Sequence, residues 1–327
     1  DQAQPVSRFQ HLEKKPVPSK TLILDPLTLR GRELLHLSDR LAGIVSEWDF
    51  RHTDLDEEHQ IADMLQGPAL VPPLEGLDDF LGSEVIVVAS DGWSSRHEQL
   101  LAHLDDNPDA VLLDLTGFEQ LRDRTTPSIG NVGTESRQIR VAHPALFATA
   151  RVFEVLSHLG AFRGSLAVVD PASAYGREAI EILAQQAATR LQGAPVDDRI
   201  RGHILAFNSV AIECDELQED ASSILPNLPL AITRTLSGSF HGHLAHLGLS
   251  FERRVEGNDV RDVLAEAEGI EIVPLPVGLD SVPDRDDVAV SLPSLSPDGK
   301  QLALTMMADG LRVGGALTAV EILEGLI

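Results

Sequence analysis

Apolar residues in the first half of the chain follow an alternation of short strands and helices. Three runs rich in aliphatic residues, TLILDP (21–26), SEVIVVAS (83–90) and DAVLLDLTG (109–117), are typical of buried parallel strands. Apolar positions at helical spacing predict helices over 31–43 and 97–104 between these runs. Strands that alternate with helices predict an α/β domain with a parallel sheet.

The second half of the chain contains longer extended runs. Amphipathic stretches predict one helix that begins at Pro144 and another that ends before Gly193, over 144–159 and 176–193. A closing helix is predicted over 316–327. Between these helices, extended apolar runs indicate strands over 203–213, 229–253, 269–277 and 302–313. This pattern favours a mostly antiparallel sheet flanked by helices.

The composition restricts the classes of partner and of chemistry. The 327 residues carry a net charge of −25, which would repel nucleic acid and anionic membrane surfaces. No apolar run reaches the ~18 residues that a membrane span needs. The single cysteine, Cys214, excludes an internal disulfide and a cysteine-based zinc site. We therefore expect a cytoplasmic protein without nucleic-acid or membrane partners.

The segment SFHGHLAHLG, residues 239–248, places three histidines within six residues. In a strand, His241 and His243 would lie on one face, with His246 three residues further along. Three interpretations are open: a metal site, a retained acid/base or small-anion site, or a half-buried scaffold histidine beside two solvated ones. A catalytic zinc site usually adds a ligand from another segment. The sequence identifies none, so we expect no metal.

Several blocks of the chain resemble the aspartate-semialdehyde dehydrogenase superfamily, and they occur in the family's order. The most specific are FHGH and the C-terminal block MMADGLRVGGALTAVEILEGLI. The other blocks are RELL, HPALFAT, DPASAYGREAIEIL and LAFNS. The resemblance covers the chain after residue 20 and is strongest toward the non-catalytic Usg-like branch of the superfamily.

The resemblance implies an α/β fold in four parts. These are an N-terminal arm, a degenerate Rossmann-like domain with a parallel sheet, an α+β dimerisation domain with a mostly antiparallel sheet, and a C-terminal helix that packs back on the first domain; their ranges are 1–20, 21–141, 142–308 and 309–327. The resemblance also implies a homodimer. In active members it implies NADP, a cysteine nucleophile, a histidine acid/base, and an arginine and a glutamate that hold the substrate.

The nucleophile and the cofactor loop of the family are not kept. The family's cysteine falls on Leu146, and a leucine side chain cannot attack an aldehyde. The family's glycine-rich turn corresponds to 25–31, DPLTLRG, where only Gly31 remains. Asp25 places negative charge where a phosphate would lie, and Arg30 offsets part of it. We expect Gly31 to serve helix–strand packing only and the chain to bind no cofactor.

Other site positions of the family are kept or replaced. His243 stands at the acid/base position, and Asp170 stands where the family has a glutamine. Arg234 lies two residues from the position of the substrate arginine, on the same strand face. Arg312 is kept in the C-terminal block. These residues would form a substrate-type cleft, although Asp309 and Arg312 also fit an ion pair or cap that closes the C-terminal helix on the first domain.

Two classes of function follow from these residues. The first is a non-catalytic dimeric homologue that acts as a scaffold or regulator or with a protein partner, in which His243 is idle. The second is an enzyme that retains NADP-dependent dehydrogenase chemistry, or a cleft around His243 that binds a small carboxylate. Loss of the thiolate, the phosphate loop and the glutamine favours the first class.

Overall fold

The computed structural model describes residues 20–41, 45, 47–56, 58–64, 67–130, 136–274, 278–279 and 286–326. The predicted N-terminal arm, apart from Lys20, lies outside the described residues, as does the predicted helix end at Gly43. Within the described part of the chain, two large sheets and the helices around them form an α/β fold.

The strands of the first half form a parallel sheet and a separate hairpin. They are β1 (Thr21–Leu24), β2 (Trp48–Arg51), β3 (Gln60–Met64), β4 (Gly67–Val71), β5 (Val85–Val88), β6 (Val111–Asp114), β7 (Thr126–Ser128) and β8 (Gln138–Val141). The first sheet has the order β2-β1-β5-β6-β8-β7 with parallel pairing throughout, and β3 pairs with β4. Strands β1 and β5 are buried along their whole length, as aliphatic runs in a parallel sheet require.

The strands of the second half form a mixed sheet that is mostly antiparallel. They are β9 (Ala161–Asp170), β10 (Ser209–Ile212), β11 (Leu230–Ser237), β12 (His243–Phe251), β13 (Ile270–Val273), β14 (Val288–Ser291), β15 (Ser294–Leu295) and β16 (Gln301–Ala308). The second sheet has the order β10-β11-β9-β12-β16-β14-β13, with β15 paired to β16. Parallel pairing is confined to β11 with β9 and β13 with β14 within the described residues.

The helices cover the faces of the two sheets. They are α1 (Leu29–His36), α2 (Ser38–Leu41), α3 (His97–Asp106), α4 (Glu119–Arg122), α5 (Pro144–Ser157), α6 (Gly176–Leu191), α7 (Asp215–Ile224), α8 (Gly257–Ala265) and α9 (Leu317–Leu326). Pro144 begins α5, where its missing N–H costs no hydrogen bond. Every described helix is too short or too polar to traverse a lipid bilayer.

The C-terminal helix packs on the first sheet, as the resemblance implies. Val320 and Ile322 of α9 share one buried cluster with Ile23 of β1 and Leu34 of α1. A separate core lies between the second sheet and α5, α7 and α8, and it includes Leu146. The chain therefore completes the core of its first sheet only with its last residues.

Several stretches differ from the prediction, among them 302–313, where the strand β16 ends at Ala308. The predicted helix 31–43 is two helices, α1 and α2, separated at Leu37. Only β10 is a strand within 203–213, because the positive φ of Phe207 interrupts the extended backbone before it. Helices α7 and α8 were not predicted from the sequence, because both are short and each has only three or four apolar residues.

Candidate functional site

A cleft of about 940 Å³ lies where the carboxyl ends of β5, β6 and β8 face the second sheet. The start of α5, the end of β11 and the start of β12 meet there and contribute His143, Arg234 and His243. The 3₁₀ turn Ala172–Tyr175, which follows β9, adds Tyr175, and Arg30 reaches the cleft from α1. Strands and helix ends thus bring together side chains that are far apart in sequence.

Asp170, the last residue of β9, is the centre of this group. Its carboxylate is fully buried and accepts hydrogen bonds from His143 Nε2 at 3.0 Å and from Arg234 Nε at 2.7 Å. His243 Nε2 lies 3.7 Å from the same carboxylate. Burial alone would raise the pKa of Asp170, but the two histidines and Arg234 hold that pKa well below its ordinary value. Asp170 is therefore a buried carboxylate anion whose two oxygens are already paired.

His143 caps α5 and uses both of its ring nitrogens. The backbone N–H of Ala145 donates to Nδ1 at 3.2 Å, so Nδ1 carries no proton. The proton of the neutral ring is therefore on Nε2, which donates it to Asp170. His143 thus has no free nitrogen lone pair directed at the cleft.

His243, the first residue of β12, is a buried neutral imidazole. Burial lowers its pKa to about 3, although the neighbouring Asp170 opposes this shift. Its Nδ1 has no hydrogen-bond partner among the described residues. That atom lies against Gly310, where a Cβ would come within 2.1 Å of it. The imidazole is therefore enclosed between Asp170 and the C-terminal segment.

The three histidines of the SFHGHLAHLG segment do not form one site. His241 is exposed and precedes β12, and His246 is exposed and pairs with Thr305 on the open face of the second sheet. The ligand-type atoms that do converge belong to His143, Asp170 and His243, within 4.8 Å of one another. A metal at Nε2 of His143 would move its proton to Nδ1 and break the hydrogen bond from Ala145. The hydrogen bonds of this group do not suit a metal ion.

Leu146 lies in the first turn of α5, one turn from the His143 cap. Its side chain is fully buried in the core beneath the second sheet. Thr149, the nearest hydroxyl along this helix, donates its proton to the backbone carbonyl of Ala145 and is also fully buried. The start of α5 therefore presents packing groups rather than a nucleophile.

The carboxylate of Asp25, in the loop after β1, forms hydrogen bonds with the residues that follow β2 and β5. Asp25 Oδ1 accepts from the Thr53 backbone N–H at 2.6 Å, and Oδ2 accepts from the Thr53 hydroxyl at 2.6 Å and from the Ser90 hydroxyl. Asp25 adopts a φ of 57°, a conformation that disfavours residues other than glycine. The carboxylate thus occupies the space between the ends of β1, β2 and β5.

Gly31 and Arg30 make packing and hydrogen-bond contacts at the start of α1. A Cβ on Gly31 would lie 2.6 Å from the backbone atoms of Asp25 and Pro26, so only glycine permits this close approach. The Gly31 N–H is capped by the Thr28 hydroxyl at 3.1 Å. The Arg30 guanidinium donates to the carbonyl of Ala174 at 2.7 Å. The first helix is thereby joined to the turn that carries Tyr175.

Arg312 lies apart from the group around Asp170. Its guanidinium donates to Glu33 of α1 at 2.6 Å and to Asp286. Asp286 also accepts from Arg40 at 2.8 Å. The structure therefore brings Asp170, Arg234 and His243 together and places Arg312 in an ion-pair network that joins the C-terminal segment to α1.

Three residues of the cleft were not identified from the sequence. His143 and Tyr175 lie in blocks that were recognised, but their roles depend on Asp170 being buried between them and Arg234. Arg201 has a φ of 47°, and its guanidinium lies 5.3 Å from the centre of the Tyr175 ring. The histidine directly before Pro144 was a usable signal, since a helix cap can also direct its ring into a cleft.

Curated relatives match about half of this chain. A USG-1 protein homologue from Azotobacter vinelandii is 27 % identical over 175 residues, which cover 48 % of this chain and 52 % of the relative. An aspartate-semialdehyde dehydrogenase from Shewanella violacea is 28 % identical over 187 residues, which cover 51 % of this chain and 55 % of the relative. The chain thus matches only about half the length of these relatives, and no protein-family model matches it.

Solved structures match nearly the whole chain in fold. Aspartate semialdehyde dehydrogenase II from Vibrio cholerae has a TM-score of 0.79 at 17 % identity and covers 94 % of this chain and 98 % of its own. A probable aspartate-semialdehyde dehydrogenase from Pseudomonas aeruginosa has a TM-score of 0.77 at 21 % identity, with the same coverage. The chain has the aspartate-semialdehyde dehydrogenase fold and resembles that superfamily in sequence, its USG-1 proteins included.

Proposed function

We propose that this chain is a non-catalytic homologue of aspartate-semialdehyde dehydrogenase that acts as a dimeric scaffold or regulatory protein. The observation that carries the proposal is that Leu146, which the resemblance aligns with the family's cysteine, is fully buried in the core. A covalent pathway needs a nucleophile at that position, and the start of α5 offers none.

The hydrogen bonds around Asp170 support an idle acid/base position. His143 uses both ring nitrogens, and His243 is neutral and enclosed. A general acid/base must exchange a proton near the working pH, and a pKa of about 3 leaves His243 without a proton to donate. These residues stabilise the junction between the two sheets rather than a reacting group.

The open face of the second sheet supports a homodimer. Two adjacent rows across β11, β9, β12 and β16 carry small or neutral side chains at every position. We call these eight residues the neutral sheet face: Ala231, Ser165, Gly248, Ala303, Thr233, Ala167, His246 and Thr305. The chain carries a net charge of −25, so two copies repel each other. This repulsion is smallest where two faces without charged residues meet. A second copy with the same face would cover it by two-fold symmetry.

An activity assay tests the non-catalytic proposal. Wild type and Leu146→Cys are incubated with aspartate semialdehyde, phosphate and NADP, with the Shewanella violacea enzyme as positive control. We expect no NADPH from either protein, because the cofactor loop is also replaced and His243, at the acid/base position, is neutral and enclosed. NADPH formation by the wild type would contradict the proposal. NADPH formation by Leu146→Cys alone would show that the cysteine is the one missing group.

A small-carboxylate site in the cleft is a second candidate, and Arg234 favours it. Asp170 fixes Arg234 Nε, while the two terminal nitrogens have no hydrogen-bond partner among the described residues. A guanidinium held in this way can bind a carboxylate through both terminal nitrogens. Titration with aspartate tests this candidate: Arg234→Gln should abolish binding, whereas Arg177→Gln, on the exposed surface of α6, should not. Retained NADP-dependent dehydrogenase activity remains the other alternative, and the activity assay above decides it.

A further inference from the structure

The crevice at the carboxyl ends of β1, β2 and β5 has the position of a ligand site. Strand β1 lies between β2 and β5, so the chain departs to both sides of β1. Open α/β sheets bind ligands at such a switch point, outside the carboxyl ends of the strands. In this chain Asp25, Thr53 and Ser90 follow those three strands and meet in the crevice.

Three hydrogen-bond donors converge on one point of this crevice. The Thr53 N–H, the Thr53 hydroxyl and the Ser90 hydroxyl all donate to the carboxylate of Asp25. Thr53 and Ser90 are 5 % and 1 % exposed, so these donors are part of the protein interior. Buried donors without an acceptor are costly, and this set therefore requires an anion or another strong acceptor.

A buried histidine holds the Ser90 hydroxyl in its donating orientation. His97 Nδ1 accepts from the Ser94 backbone N–H at 3.0 Å, which places the ring proton on Nε2. That Nε2 lies 2.9 Å from the Ser90 oxygen, so Ser90 accepts from His97 and donates to Asp25. His97 thus donates to Ser90 and Ser90 donates to Asp25, so both donors point toward the carboxylate, which is the final acceptor.

We propose that the Asp25 carboxylate is an internal anion that closes a latent oxyanion site made by Thr53 and Ser90. The site would take a phosphate-type oxyanion once the carboxylate is removed. This inference rests on the proposed function, because it assumes that the wild-type chain does not bind a dinucleotide there. The positive φ of Asp25 agrees with this proposal, because the unfavourable backbone conformation occurs at the residue whose carboxylate lies among the three donors.

The charged residues near Asp25 determine which Asp25 variants can test this proposal. Asp91 lies close enough that Asp25 contributes to raising the pKa of Asp91, after burial, which has the larger effect. Arg30 pairs with Asp91 at 3.4 Å. Removal of the Asp25 carboxylate therefore takes the negative charge out of the donor set, while Asp91 keeps its pairing with Arg30. Asp25→Gly opens the space and relieves the backbone, whereas Asp25→Asn removes the charge and keeps the volume.

Thermal unfolding with inorganic phosphate tests the inference. Wild type, Asp25→Gly and Asp25→Asn are melted in phosphate and in sodium chloride of equal ionic strength. We expect phosphate to raise the Tm of Asp25→Gly by about 3 °C relative to chloride, and not that of wild type. A smaller rise is expected for Asp25→Asn, whose amide still fills the site. Adding Ser90→Ala to Asp25→Gly should remove the effect.

Two outcomes would overturn the inference. One is the absence of a phosphate-specific rise in whichever Asp25 variant keeps the circular dichroism spectrum of the wild type. The other is an equal rise in wild type and variants, which would place phosphate elsewhere. The proposed function fails by a different result, which is NADP binding or turnover by the unaltered wild type, so the two failures are distinguishable.

Discussion

At the scale of single residues, two buried carboxylates are paired by neighbouring side chains. Asp170 pairs with His143 and Arg234, and Asp25 pairs with Thr53 and Ser90. The resemblance aligns Asp170 with a glutamine of the family and Asp25 with the family's glycine-rich turn. A buried carboxylate whose two oxygens are both paired stabilises one arrangement and is not available as a base.

A pH prediction follows from the buried imidazole of His243. Its pKa is about 3 in the folded state and about 6.5 when unfolded, so the unfolded chain binds its proton first. This residue therefore lowers stability as the pH falls below about 6.5, by on the order of 2 kcal/mol at pH 4.5. Urea unfolding of His243→Gln should show a weaker loss of stability between pH 6.5 and 4.5 than wild type.

Two features make the measurement specific to His243. Burial also lowers the pKa values of His97 and His103, so a residual slope remains in the variant. His59 is exposed and provides the matched control, because His59→Gln should keep the wild-type slope. An unchanged slope in His243→Gln would show that His243 is not the buried neutral group described above.

At the scale of elements, the C-terminal segment ties the two sheets together. Gly314 has a φ of 74°, and a Cβ there would lie 2.7 Å from Pro144 Cα, so the segment approaches the start of α5 closely. Arg312 then pairs with Glu33 of α1, and α9 completes the core of the first sheet. The same few residues close the cleft over His243 and join it to the first helix.

Removal of the Arg312 guanidinium should destabilise the fold. The side chains of Arg312 and Glu33 are 17 % and 15 % exposed, so this ion pair is shielded from water more than a surface pair. We expect Arg312→Met to lower the free energy of unfolding by about 1–3 kcal/mol. Arg254→Met is the control, because Arg254 and its partner Glu256 are mostly exposed and should contribute about 0–1 kcal/mol. Equal effects of the two changes in urea unfolding would refute the structural role of Arg312.

Much of the fold was predictable from the sequence, because aliphatic runs and helical spacing are local signals. The buried strands β1 and β5 and the start of α5 at Pro144 agree with those signals. The site was less predictable, because a partner such as His143 is identified only when Asp170 is known to be buried beside it. The Asp25 network likewise depends on strand order, which brings Thr53 and Ser90 together.

At the scale of the whole molecule, the charge is unevenly distributed. The chain carries a net charge of −25, whereas the neutral sheet face has no charged residue across two rows of four strands. The neutral sheet face is the observation that supports the proposed association of two copies. The dimer is therefore the part of the proposal that can be tested without a known partner.

A charge placed on the neutral sheet face should separate the dimer. Thr233→Asp would bring two carboxylates toward each other across a two-fold interface, where desolvation and repulsion oppose association. Sedimentation velocity should show a dimer for wild type and a monomer for Thr233→Asp. Ala188→Asp, on an exposed position of α6, should leave the dimer intact. A monomeric wild type, or a dimer that tolerates Thr233→Asp, would exclude this face as the interface.

Isothermal titration of NADP into the wild-type protein, with NAD as control, tests the central claim most directly. The claim is that Asp25 closes the crevice and that the chain therefore works without a dinucleotide. The predicted result is no binding heat up to about 1 mM cofactor. Binding of NADP in the micromolar range would contradict the claim and favour the alternative, which is NADP-dependent dehydrogenase activity.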